Sequence, residues 1–176
     1  MRINKALLFL ILFLVIIFIS GCSSNKRENT STKISSAVSN DVNIDGTGKL
    51  NCTREAVAGE GIDVDLRYII NYKNGYIQIL HAIEKVTSGD QSRLEEYEVA
   101  YKNISSHYEG LEYYNTSIIR DSNSVTNNTI INYEKIDIDK LLEIEGEEDN
   151  VVENGKVKLS TWLGFAEKFG TTCEEA

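Results

Sequence analysis

The sequence predicts an α+β fold: an antiparallel sheet with one longer and one or two shorter helices packed on one face. Three observations predict it. Residues 63–86 carry two strands of alternating polarity joined by Asn74-Gly75. Leu94, Tyr97, Tyr101, Ile104 and Tyr108 then recur at spacings of three and four, the stripe of an amphipathic helix. After further β-rich segments, Trp162, Phe165, Ala166 and Phe169 form the apolar face of a second, shorter helix.

In chain order, Lys49 to Ala56 is the candidate first strand, and Gly59-Glu60-Gly61 reads as a lone turn rather than a phosphate-binding loop. From Asp63 to Lys73, Leu66, Tyr68, Ile70 and Tyr72 alternate with Arg67, Asn71 and Lys73, the period of a half-buried strand. Asn74-Gly75 suits a type I′ turn, which needs φ > 0 at both positions. Tyr76 to Val86 returns as a strand, with Ile77, Ile79 and Ile83 expected on one face. Ser88 to Gln91 fits a capping box for the long helix, with Asp90 as a rival N-cap, and Gly110 is placed to end it before Leu111. Glu95, Glu96, Glu98 and Lys102 are expected to face outward. Ser117 to Arg120 and Asn128 to Ile138 read as strands flanking a turn from Asp121 to Asn127. Asp137 or Asp139 starts a short helix through Leu141, Leu142 and Ile144, and an acidic loop runs from Glu143 to Glu153. The last helix spans Thr161 to Phe169, capped by Ser160 and stopped by Gly170.

The N-terminal region has a different character. Arg2 and Lys5 precede an unbroken apolar run of 14 residues, Ala6 to Ile19, and Ser20-Gly21-Cys22 follows at once. This is the layout of a secretory signal. As a helix the run rises about 21 Å, short of the roughly 30 Å hydrocarbon core, so a permanent transmembrane helix is the weaker reading. Residues 1–21 are thus expected to be a signal peptide. Ser23 to Gly48 is rich in Ser, Thr and Asn and keeps no helical stripe. Residues 22–48 are read as a flexible tether of roughly 25–30 Å span, and 49–176 as the exported domain.

Charge follows the same division. Removing Arg2 and Lys5 with the signal takes the net charge from −9 to −11, and residues 23–48 are neutral, so the whole excess sits on 49–176. Such a domain repels polyanions, which excludes nucleic acid as an expected partner, and it is repelled by anionic headgroups. Simple solubility accounts equally for the charge.

Ile19-Ser20-Gly21-Cys22 resembles the lipobox of bacterial lipoproteins, with Ile19 where Leu is commoner. The resemblance implies a diacylglyceryl group on the Cys22 thiol, cleavage between Gly21 and Cys22, and a place on the extracytoplasmic face of the cell membrane. Two acyl chains suffice for stable anchoring, where one is marginal. Hydropathy by itself shows only an export signal, and an ordinary signal peptide containing a cysteine is the competing reading. With Cys22 assigned to lipid, Cys52 and Cys173 remain as an even pair in an oxidising compartment. A bridge between them would close a loop worth about 5 kcal/mol by chain entropy. Two free thiols or an intermolecular bond are the alternatives.

Catalytic and cofactor motifs are not found. His81 lies within a strand and His107 near a helix end, with nothing linking either to a thiol, and no Cys or His spacing suits zinc. Glu143, Glu145, Glu147, Glu148, Asp149 and Glu153 lack the Asp/Asn-Gly order of a calcium loop and read as a solvated acidic stretch. Paired carboxylates have no diagnostic value among the 24 acids of residues 49–176, and Asn51, Asn103, Asn115 and Asn127 head chance glycosylation triplets. No cofactor is expected.

The exported region is also similar to small uncharacterised Gram-positive lipoproteins, including the YehR-like group. The likeness rests on the lipobox, the polar spacer, an early Cys in a strand, a hairpin, a helix and late strands. It also rests on Asn132-Tyr133-Glu134-Lys135-Ile136-Asp137 and Trp162 with Gly170-Thr171-Thr172-Cys173. It brings no activity and no binding residues. The resulting expectation is a membrane-anchored, non-enzymatic module binding an extracellular protein, a peptide or a cell-wall component. The alternatives are an extracellular hydrolase on wall material and an accessory subunit of a membrane complex.

Overall fold

The structure is a computed structural model that describes residues 44–144, 147 and 152–176. Cys22, the segment 1–21, the tether up to residue 43, and Glu145, Glu148 and Asp149 lie outside the described residues.

The strands β1 (Thr47–Gly59), β2 (Ile62–Lys73) and β3 (Tyr76–Ser88) form a meander, followed by α1 (Gln91–Ser106). The strands β4 (Tyr114–Arg120) and β5 (Ser124–Asn132) come next, then the short α2 (Ile138–Leu142). A two-residue ribbon, β6 (Val152–Glu153) and β7 (Lys156–Val157), precedes α3 (Leu159–Lys168) and β8 (Thr172–Glu175). Six strands make one sheet in the order β4-β5-β3-β2-β1-β8, and every pairing is antiparallel. The fold is α+β with one longer helix and two shorter ones.

Residues directly opposite in an antiparallel pair point to the same face. The register therefore sorts the side chains into two sets. Leu50 and Cys52 of β1, Val64 to Tyr72 at every second position of β2, Leu80 and Val86 of β3, and Val125 and Ile131 of β5 share one face and are buried. Leu94, Tyr97 and Tyr101 of α1, Leu141 of α2, and Leu159, Trp162, Leu163 and Ala166 of α3 complete the same core. Trp162 meets the Tyr68 ring edge-on at 5.2 Å between centroids, so α3 sits on the face that α1 covers. Among the described residues, no element covers the other face.

Local chemistry explains most element ends. Asn74 and Gly75 have φ of 52° and 79°, and Asn154-Gly155 repeats the pattern at 53° and 72° between β6 and β7, a second hairpin signal passed over in the sequence. Asp90 is the N-cap of α1, its Oδ1 accepting from the Ser92 and Arg93 N–H groups at 2.9 and 3.4 Å. Ser88 is occupied elsewhere: it is buried at the end of β3, donates to the Gly61 carbonyl and accepts from the Asp90 N–H. At the end of α3 the Thr171 N–H bonds the Ala166 carbonyl and the Gly170 N–H bonds that of Glu167, a Schellman closure with Gly170 at φ 80°.

Several expectations are corrected. Ile77, Ile79 and Ile83 do not share a face. Tyr72 pairs with Ile77 and Asn71 with Ile79, so Gln78 is an extra, bulged residue that flips the parity of β3. Ile77 and Leu80 therefore enter the core while Ile79 and Ile83 point away. β5 begins at Ser124 rather than Asn128 and ends at Asn132, because the turn after β4 is only Asp121 to Asn123 and a turn follows at Tyr133. The long helix stops at His107, and Gly110, φ 84°, closes the next turn. α3 begins at Leu159 with Lys158 as an N-cap that makes no side-chain capping bond, so Ser160 is not the cap. Its start is fixed by packing: Leu159 is fully buried and its N–H bonds the Gly75 carbonyl at 2.8 Å.

The folded region also starts before Lys49. The Gly46 carbonyl accepts from the Asn74 N–H at 2.7 Å, and Gly48 lies within β1 against the Tyr72 ring. A Cβ at Gly48 would run into the Tyr72 ring, so a larger residue there displaces that ring.

Candidate functional site

The covered face is mostly apolar, and its polar side chains concentrate along one row. Across four pairings the register aligns Arg54, Leu66, Glu84, Asn127 and Ile118 on neighbouring strands, beneath α1. Three of the five are polar or charged, where the adjoining rows hold Val64, Val86 and Val125 on one side and Cys52, Tyr68 and Ala82 on the other. Tyr97 and Tyr101 come down onto this row from α1, with ring centroids 6.2 Å apart.

The electrostatics of the row centre on Glu84. Burial pushes its carboxyl up to about 7 from an ordinary value of 4.5, against the opposing pull of the Tyr101 hydroxyl and the Arg54 guanidinium. Burial also raises the Tyr68 and Tyr101 hydroxyls above their ordinary range, and the Glu84 carboxylate adds to both shifts. Tyr101 and Glu84 perturb one another, yet the Tyr101 oxygen is not aligned for a full hydrogen bond. Arg54 Nη1 and Asn127 Oδ1 are likewise buried without a hydrogen-bond partner among the described residues. The Arg54 guanidinium lies 5.8 Å from the Phe169 ring centre, which ties the row to the end of α3.

Chemically the row can exchange one proton near neutral pH. A glycosidase-type pair needs two carboxyl groups flanking an accessible bond. This row holds one acid, Glu84, and its charged neighbour is the cation Arg54. In the adjoining row Arg120, the partner of Val125, leaves the core, donating to Gln91 Oε1 at 2.6 Å and lying 3.8 Å from Glu98. Lys102 bonds Glu98 at 2.5 Å and holds that carboxyl below its usual range.

A second polar cluster corrects the reading of Glu143 to Glu153 as wholly solvated. Glu147 is buried and accepts the Tyr108 hydroxyl at 2.5 Å. Tyr108 stacks on Tyr114 with centroids 4.1 Å apart, and burial followed by the charge of Glu147 raises the hydroxyls of Tyr108, Tyr114 and Tyr133. Glu143 and Glu153 remain exposed, and Glu153 pairs with Lys158 at 3.4 Å. Among the described residues, no group of three His, Cys, Asp or Glu side chains could hold a metal ion. A shallow depression on the outer side of α1, lined by Ser92, Glu95, Glu96, Val99, Ala100 and Asn103, is open to solvent.

Cys52 and Cys173 are register partners in β1 and β8 and form a disulfide with sulfurs 2.08 Å apart. The sequence reading placed Cys173 just after the last helix. It missed β8, whose four residues Thr172 to Glu175 carry one apolar position. His81 sits on the uncovered face within β3, and His107 caps α1, exposed. Sequence reasoning also missed the row itself, since each member looks like an ordinary strand residue until register aligns them.

No family model matches the chain, and no curated protein matches it. Among solved structures it is similar to the NMR structure of the E. coli YehR protein, at 14% identity and a TM-score of 0.49, over 73% of this chain and 90% of that one. It is also similar to the NMR structure of a protein from Streptococcus pneumoniae TIGR4, at 13% identity and a TM-score of 0.45, over 89% of this chain and all of that one.

Proposed function

We propose that this protein is a lipid-anchored, extracytoplasmic binding or accessory module, held on the cell membrane through Cys22. The observation that carries the proposal is the Cys52–Cys173 disulfide, since such bonds persist in oxidising compartments outside the cytoplasm. Together with a chain that opens as Arg2, Lys5, an apolar run and Ile19-Ser20-Gly21-Cys22, it supports a folded region on the outer side. A binding role is favoured over catalysis because the polar row lies beneath α1 and holds a single carboxylate, Glu84. The partner class is an extracellular protein or a cell-wall component; nucleic acid is disfavoured by charge.

The anchor is tested by feeding cells an alkyne fatty acid. The full chain acquires the label, and Cys22→Ala abolishes it; a labelled Cys22→Ala protein would refute the anchor. The binding role is tested by cross-linking intact cells and identifying what is captured. Release of soluble fragments from purified wall material by the protein would replace it with the hydrolase reading.

A further inference from the structure

The uncovered sheet face carries a pattern that a solvated face does not need. Ile69, Ile79, Ile83 and Ile130 point outward near its centre, with Ile119 to one side, and Ile119 and Ile130 are 51% and 41% exposed. The charges on this face are arranged by position. Lys49 of β1 and Lys73 of β2 lie toward one end of the strands, while Glu55 of β1 with Asp63 and Asp65 of β2 lie toward the other; Lys85, opposite Asp65, and Glu174, opposite Asn51, are the exceptions. All of these are exposed, and none of the ion pairs among the described residues falls on this face. Counting Arg67, Lys85 and Glu174 as well, the face is neutral, in a region whose net charge is −11. On this side two copies of so acidic a domain meet without net repulsion.

We propose that this face pairs with the same face of a second copy, related by a two-fold axis in the interface and perpendicular to the strands. That axis runs along the row Cys52, Tyr68, Ala82 and Thr129, which are register partners. It carries each strand onto its own copy with direction reversed. Lys49 then faces Glu55 of the second copy, Lys73 faces Asp63, and Ile69, Ile83 and Ile130 gather about the centre. A two-fold axis along the strands would instead bring basic end to basic end, so the charges select the axis. Five strands about 4.8 Å apart and some ten residues long at about 3.4 Å each give a footprint on the order of 800 Å². That matches the half-interface of a stable complex. Twisted sheets pack face to face in this way with strand directions within about 30°. The pairing holds whether or not Cys22 carries lipid.

The test is photocross-linking of the full chain in intact cells, with benzoylphenylalanine replacing Ile83 or, as a control, Glu96 on the outer side of α1. Ile83 is expected to give a product of twice the chain mass whose cross-linked peptide comes from β3 of the second copy, and Glu96 none. Lys49→Glu with Lys73→Glu is expected to reduce that product at least tenfold, as is Glu55→Lys with Asp63→Lys. Co-expression of the two variants is expected to restore a mixed product to within about twofold. Intact mass showing the disulfide retained verifies folding of each variant. A product of single-chain mass, a cross-link to residues 1–43 of the same chain, capture of a different protein alone, or charge variants that pair undiminished would each overturn the proposal. If a charge variant fails to fold, the identity of the Ile83 cross-linked peptide decides.

Discussion

The two faces of the six-stranded sheet are built from the same strands, and each contains residues that would suit the other. The covered face holds Arg54, Glu84 and Asn127 in a row within an apolar core. The open face holds Ile69, Ile79, Ile83 and Ile130 among Lys, Asp, Asn and Thr. A strand that only had to fold would exchange these positions. A buried charge costs free energy unless it is paired and hydrogen-bonded, and exposed isoleucines leave apolar area in water. On the covered face the cost is contained by clustering Arg54, Tyr97 and Tyr101 around Glu84. On the open face no element among the described residues relieves it.

The largest expected effect concerns the seam that fixes β8 to the covered face. Cys173→Ser, or reduction, is expected to remove about 2–5 kcal/mol of stability in urea denaturation, and reduction adds the mass of two hydrogens to the intact protein. A pair of truncations then measures the difference between the faces. Ile70→Ala, fully buried, should cost about 2–5 kcal/mol, whereas Ile119→Ala, half exposed at the open face, should stay within about 0.5 kcal/mol in a dilute monomer. Equal losses at both positions would break the comparison.

Glu84 sharpens it through pH. Its folded value of about 7 lies above the ordinary 4.5, so between these values the folded state keeps a proton that the unfolded chain has released. Unfolding is therefore favoured as pH rises, and the protein should lose on the order of 3 kcal/mol from below pH 4.5 to above pH 7. Glu98 and Asp137 act in the opposite sense, since the Lys102 bond and the Lys140 backbone N–H lower their carboxyls. The difference between Glu84→Gln and the unsubstituted protein isolates the one residue: the substitution should remove the loss above pH 7 and gain nothing at pH 4. The smallest effect is at the rim of the covered face. Asp90→Ala, which removes the α1 cap, should cost about 1 kcal/mol by the same measurement.

How legible each face was follows from the range of the interactions that build it. Leu66, Tyr68, Ile70 and Tyr72 announce the buried side of β2 by alternation alone, and Asn74-Gly75 fixes the hairpin, because both signals are local. The stripe from Leu94 to Tyr101 predicts the covering helix for the same reason. Gln78 hides a bulge, and no periodicity survives a one-residue insertion, so the isoleucines of β3 were assigned to the wrong side. The row from Arg54 to Ile118 is assembled by four separate register choices between residues up to 43 positions apart in pairing strands, and no window of sequence contains it. β8 owes its existence to the disulfide and to the edge of β1, both remote in sequence.

The Cys52–Cys173 bond also decides how the protein carries tension. A pull applied between the two ends of the chain enters at the start of β1, crosses at the sulfurs, and leaves through the last residues of β8. The 121-residue span between the cysteines lies outside that path. The β2–β3 hairpin, α1, and the row around Glu84 thus stay slack under a load that strips only the strand ends beyond the bond. The mechanical length of the molecule is set by a few residues of its first and last strands, and the rest hangs from them as an unloaded ring.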